Sequence, residues 1–179
     1  CKLRRTEQAL GRGQQRHVQR DHVALGQQGL ERNRMQAELA RCRFSHAKAL
    51  FSLGKRERAG SLLESARRLF ASEGNRISVA LTKLTKARFY LESDQLKEAE
   101  KEADAALRAF TEGGNLRYEL LARWLKGEIR LKAGSAKRAE TIFRETLRRA
   151  AGQSRQIEYL CLLGLGKTRG EEKFYLEAV

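Results

Sequence analysis

Seven basic side chains recur at a spacing that could make an anion-binding surface. Arg43, Lys83 and Arg123 lie forty residues apart; His46, Lys86 and Lys126 follow each of them by three, and Arg130 extends the last row. Residues three or four apart share a helix face, so equivalent rows on neighbouring helices would set cations side by side. Such a stripe would attract an acidic peptide or a phosphate backbone through charge alone. Tyr90 holds the place of Arg130 one repeat earlier. A second row, Arg68, Arg108 and Arg148, falls near helix C-termini, where cations complement the dipole. That row is expected on the outer surface.

Other chemistry has less support. Cys1, Cys42 and Cys161 are odd in number and widely spaced, so they read as reduced, mostly buried small side chains in a cytoplasm and not as a disulfide framework or zinc site. His17, His22 and His46 include no pair at i,i+4 spacing with a carboxylate nearby, so no metal is expected. Gly164-Leu165-Gly166-Lys167-Thr168 resembles the end of a phosphate-binding loop, but that loop needs a glycine where Cys161 stands and a strand before it. Glu98, Glu100, Glu102 and Asp104 alternate with Lys97 and Lys101, the pattern of a solvated helix face. No nucleophile–base set stands out. The expectation is a non-catalytic protein without a cofactor.

The elements that would position the basic rows are helical. The chain has 179 residues and no proline, is 41% hydrophobic and 33% charged, and is rich in the strong helix formers. No apolar run approaches the ~20 residues that cross a bilayer. The first residue is Cys1 and not Met, which reads as a region of a larger protein or a processed product. Net charge is +15, unevenly spread. Lys and Arg outnumber Asp and Glu by 8 to 4 over residues 36–75 and 11 to 4 over 116–155, but stand at 7 to 7 over 76–115. Charge therefore comes in patches.

A forty-residue period organises all of this. Ala47, Ala87 and Gly127 are followed by Gly54, Asp94 and Gly134, then by Ala59, Ala99 and Ala139, and by Leu63, Ala103 and Phe143. In each unit apolar residues recur at helical steps on two successive helices. The first helices carry Ala37, Ala40, Phe44, Ala47 and Phe51; Ile77, Ala80, Leu81, Leu84, Ala87 and Leu91; and Leu120, Leu121, Trp124, Gly127 and Leu131. Short breaks at Gly54-Lys55, Asp94-Gln95 and Gly134-Ser135 should turn the chain within a unit. Glu73-Gly74-Asn75, Glu112 to Asn115 and Gly152 to Ser154 should separate the units, and Ser154-Arg155 stands in register with the turn pairs Gly74-Asn75 and Gly114-Asn115. The units read as residues 36–75, 76–115 and 116–155, with a partial fourth over 156–179. There Cys161 and Gly164 align with Trp124 and Gly127 if the connector is three residues shorter. Residues 1–35 read as a degenerate unit or frayed leader, with Val23 and Leu30 in register with Leu63 and Phe70.

The sets Ala47-Gly54-Ala59-Leu63, Ala87-Asp94-Ala99-Ala103 and Gly127-Gly134-Ala139-Phe143 resemble the tetratricopeptide repeat. The long period is similar to that of the variant found in bacterial activators of the maltose-regulon type, peptide-pheromone receptors and kinesin light chains. The resemblance covers roughly residues 36–179. It implies an all-α, right-handed solenoid of antiparallel helix pairs, with a groove lined by the first helices that holds protein segments. Two features depart from the family: no proline closes a unit, and His46, Lys86 and Lys126 occupy a position often held by Leu. The family's Asn-containing carboxylate clamp is not carried over, because Asn33, Asn75 and Asn115 all fall in connectors.

From these readings the expected protein is an interaction scaffold, the repeat region of a regulatory or signalling protein, with Arg43, His46, Lys83, Lys86, Arg123, Lys126 and Arg130 binding an acidic or helical protein segment. The alternative is nucleic-acid binding through the basic patches.

Overall fold

Three-residue connectors set the architecture. The computed structural model describes residues 31, 32 and 34–170. Among these are seven helices and no strand: α1 (34–52), α2 (Arg56–Ser72), α3 (Arg76–Glu92), α4 (Leu96–Glu112), α5 (Leu116–Lys132), α6 (Ala136–Ala150) and α7 (Arg155–Arg169). Between α1 and α6 every break has a residue in the left-handed region at its centre: Gly54, Gly74, Asp94, Gly114 and Gly134, with φ between 60° and 74°. The residue after it returns its N–H to a carbonyl five residues back, as in Lys55 to Leu50 and Gln95 to Tyr90, both at 2.9 Å. That closure satisfies carbonyls the helix end would leave unpaired. Asp94 is the one non-glycine with positive φ among the described residues, a conformation aspartate tolerates better than most side chains.

The breaks between units add a cap. The Asn75 side chain accepts from Ser78 N–H at 3.0 Å and Asn115 from Tyr118 N–H at 3.3 Å, so these asparagines start helices. Asn33, Val23 and Leu30 lie outside the described residues. The break expected at Gly152 to Ser154 is found there: Gly152 takes the left-handed conformation at φ 70° and Ser154 is the N-cap, while Arg155, in register with Asn75 and Asn115, already belongs to α7.

Burial follows the periodicity on the second helices. Ala59, Leu63, Ala66 and Phe70 on α2, Ala99, Ala103, Ala106 and Phe110 on α4, and Ala139, Phe143 and Ala150 on α6 are all buried. First helices carry more. α3 buries Ala80, Leu84 and Ala87 as expected, but also Thr82; α5 adds Glu119, Ala122, Leu125 and Ile129. From α2 onward each helix packs on the next in sequence, and α5 also touches α3 and α7; Ala40 of α1 packs with Ala66 and Phe70 of α2. A first helix inside the array is thus covered on more sides than a single apolar stripe would show. Trp124 is half-buried and packs against two core clusters.

Thiol placement is split. Cys161 is buried, but Cys42, expected to be a buried small residue, is exposed, because it faces away from the Ala40, Phe70 and Ala66 cluster that holds α1. Cys1 lies outside the described residues. Residues 161–168 are helical within α7, so they form no phosphate loop. Among the described residues no helix is long and apolar enough to cross a membrane.

Candidate interaction site

The basic rows do not stand free along their length. On α5, Lys126 reaches Asp104 at 2.6 Å and Arg130 pairs with Glu100, both acids belonging to the preceding helix α4. On α3, Lys86 meets Glu102 of α4 at 3.2 Å and lies 5.6 Å from the Tyr90 ring centre. Burial works against the Lys86 charge, but the Glu102 carboxylate more than offsets it and holds the ammonium pKa above its usual value. Arg123 donates to Glu119 at 3.0 Å, and Arg149 of α6 reaches the same carboxylate at 2.7 Å. Burial of Glu119 pushes its pKa up; the hydrogen bonds from Arg123 and Arg149 outweigh that and leave it lowered.

This corrects the reading of α4 as a solvated acidic face. Glu98 is exposed, whereas Glu100, Glu102 and Asp104 are half-buried and clamp the cations of α3 and α5. Matching an acidic second helix to the basic positions of its two neighbouring first helices could have revealed this. The neutral charge balance of residues 76–115 was the visible signal.

Three of the seven residues stand differently. Arg43 donates to the neutral Ser65 hydroxyl at 2.6 Å. His46 is exposed, and Lys83 is half-buried; neither forms an ion pair among the described residues. The structure therefore divides the stripe into a neutralised part, Lys86, Arg123, Lys126 and Arg130, and an unpaired part, Arg43, His46 and Lys83. Arg68, Arg108 and Arg148 of the second row are all exposed.

Beside Lys83 the array opens. Between α2 and α3 lies a pocket of about 820 Å³, within the size range of ligand sites. Leu63 and Thr82, both buried, form its inner end, and Phe51, Phe89 and Tyr90 contribute aromatic walls. Phe51 and Phe89 stack with ring centres 3.7 Å apart. Glu64 and Arg67 pair along one side at 2.6 Å. No motif pointed to this pocket, because its lining comes from α1 to α4 and the connector between α3 and α4 and shares no sequence spacing.

Cysteine chemistry is held down at the other end of the array. Burial, and behind it the Glu128 carboxylate, pushes the Cys161 thiol up to about 11. Among the described residues no group of three or more His, Cys, Asp or Glu could hold a metal ion.

No family model, curated protein or solved structure matches this chain. The all-helical, repeat-like architecture and the site geometry are therefore what bears on function.

Proposed function

We propose that this chain is a non-catalytic interaction scaffold, the repeat region of a larger regulatory or signalling protein, which holds an acidic or helical segment of a protein partner. The observation that carries this reading is the uneven neutralisation of the basic rows. Lys86, Lys126 and Arg130 already hold carboxylates of α4, and an acidic ligand there would have to displace one. Lys83, His46 and Arg43 hold none among the described residues, so an acidic group can bind there without displacing one. Binding is thereby concentrated on the α1 and α3 end of the original stripe.

The finer architecture belongs to the same proposal: antiparallel pairs winding into a right-handed solenoid of the tetratricopeptide type. Its support is the repeated three-residue connector and the side-by-side packing of α3, α5 and α7. A cytoplasmic setting rests on reduced thiols, one of them buried in the core.

The experiment is capture of partners from a lysate of the source cells on the immobilised chain, with and without nuclease. The unaltered chain and Lys126→Gln/Arg130→Gln should retain one discrete protein through nuclease treatment, and Arg43→Glu/Lys83→Glu should lose it. Retention by the charge-reversed variant would sink the reading. Recovery abolished by nuclease would replace it with nucleic-acid binding.

A further inference from the structure

The pocket between α2 and α3, and the unpaired cation beside it, go with three departures from the repeat. One unit later, the matching space between α4 and α5 is crossed by the pairs Glu100–Arg130 and Asp104–Lys126. At the positions of Glu100 and Arg130 the earlier unit carries Gly60 and Tyr90, so the first pair cannot form. Glu64 stands where Asp104 does, yet it turns along its own helix to Arg67 and Arg68, while Lys86 is held by Glu102. The third departure is at Val79, which occupies the place of Glu119. Arg123 finds Glu119 one turn back at 3.0 Å; Lys83, its counterpart, finds a valine.

These deletions have two consequences in one place. A Cβ built on Gly60 meets nothing within 4 Å, so the space is open. And Lys83 borders it without a carboxylate among the described residues. With Glu64 and Glu102 already engaged, the remaining charges at the rim are Lys83 and Arg56 against Glu57, an excess of positive charge. Inside, Phe51, Leu63, Phe89 and Tyr90 supply an apolar wall beside the polar Thr82, Ser93 and Gln95. Cation at the rim and rings within are complementary to one kind of occupant.

We propose that this pocket is a side-chain socket for a partner segment in which an aromatic residue is flanked by carboxylates. The ring enters between Phe89, Tyr90 and Leu63, and a neighbouring carboxylate takes Lys83. This rests on the scaffold reading above and names the partner chemistry that reading leaves open. It also places recognition between a second helix and the next first helix, apart from the neutralised rows of α5.

The test uses the full chain and two fluorescein-labelled acidic hexapeptides, identical except that one has a central phenylalanine and the other alanine, followed by fluorescence anisotropy. Burying the ring should make the phenylalanine peptide bind about tenfold tighter or more. Lys83→Gln should weaken both peptides and keep the preference between them. Gly60→Glu/Tyr90→Arg, which restores the side chains that fill the next gap, should abolish the preference. Gly60→Leu serves as a second closing variant, because it improves helix propensity and fills the space without charge; circular dichroism checks that both fold. Equal binding of the two peptides to the unaltered chain, or a preference that survives both closing variants, overturns the socket while leaving the scaffold. Failure of both peptides to bind the unaltered chain overturns the acidic-segment reading and the socket together.

Discussion

Phe143 of α6 lies flat against Gly164 of α7: a Cβ added to that glycine would stand 2.6 Å from the ring's Cζ. Gly127 of α5 faces the same ring and has no room for a Cβ either. The ring is fully buried between two first helices, and both glycines fall at the small-residue position of the repeat. In the earlier units that position holds Ala47 and Ala87, and the Phe143 position holds Leu63 and Ala103. The small residue is thus glycine where its partner is largest. A ring between two backbones leaves no side-chain movement to relieve a clash.

Gly127→Ala and Gly164→Ala should each destabilise the fold by about 1–3 kcal/mol through overpacking. Phe143→Leu should rescue a large part of the Gly127→Ala loss, because the pair would then match Ala47 with Leu63. Urea denaturation of the single and double variants measures the coupling. Strict additivity would show that the ring, and not its contact with the glycine, sets the cost.

Glu119 predicts an acid limb. Its folded-state pKa lies below the ordinary 4.5, so its contribution is fully present above the unfolded value and is lost as pH falls through the folded one. Stability should therefore drop below about pH 5 more steeply in the unaltered chain than in Glu119→Gln. At neutral pH that substitution should cost about 1–2 kcal/mol, since it removes a charged acceptor shared by Arg123 and Arg149. Denaturant midpoints from pH 3 to pH 7 give both quantities, and parallel curves would assign the slope to other carboxylates.

The interhelix pairs should behave as structural contacts. Lys126→Ala and Arg130→Ala are each expected to cost up to about 1 kcal/mol, in line with half-exposed ion pairs. Glu100→Arg combined with Arg130→Glu should recover most of the loss of either alone. A double-mutant cycle by thermal unfolding at low and high salt checks this, with coupling expected to shrink as salt rises.

At Asp94 the backbone has φ 60°. Replacement by alanine should lower stability by about 1 kcal/mol, because it keeps the Cβ and removes the side chain that eases this conformation. Asp94→Gly should be close to neutral, as it relieves strain but loses the 2.7 Å contact with Lys132. A glycine variant less stable than the alanine one would contradict the conformational reading.

The thiols should separate cleanly. With its pKa near 11, Cys161 carries only about one thiolate per thousand at pH 8 and is buried as well. Iodoacetamide at pH 8 should label exposed Cys42 rapidly and spare Cys161 until denaturant is added, as read by peptide mass spectrometry.

Periodicity, helix boundaries and the cores of the second helices were legible in the residues themselves. α2, α4 and α6 each bury one stripe, so a 3.6-residue pattern reports them directly. The connectors were legible for the same local reason: a left-handed residue followed by a polar cap has its own signature at Gly74-Asn75 and Gly114-Asn115. At the last break Gly152 marked the turn in the same way.

Three things needed the packed array. Thr82, Ala122 and Ile129 are buried because a second helix from the preceding unit covers them, and no periodicity within their own helix says so. The cations of the stripe are equivalent in sequence but not in charge, since Glu100, Glu102 and Asp104 reach across to some and not to others. The pocket beside Lys83 is the plainest case, for its space goes with the side chain that Gly60 lacks. Local spacing determines which helices form and which face is apolar. Which charges remain free, and where space remains open, depends on side chains from neighbouring helices, as with Glu102 and Lys86 or Glu100 and Arg130, and only tertiary packing brings those into contact.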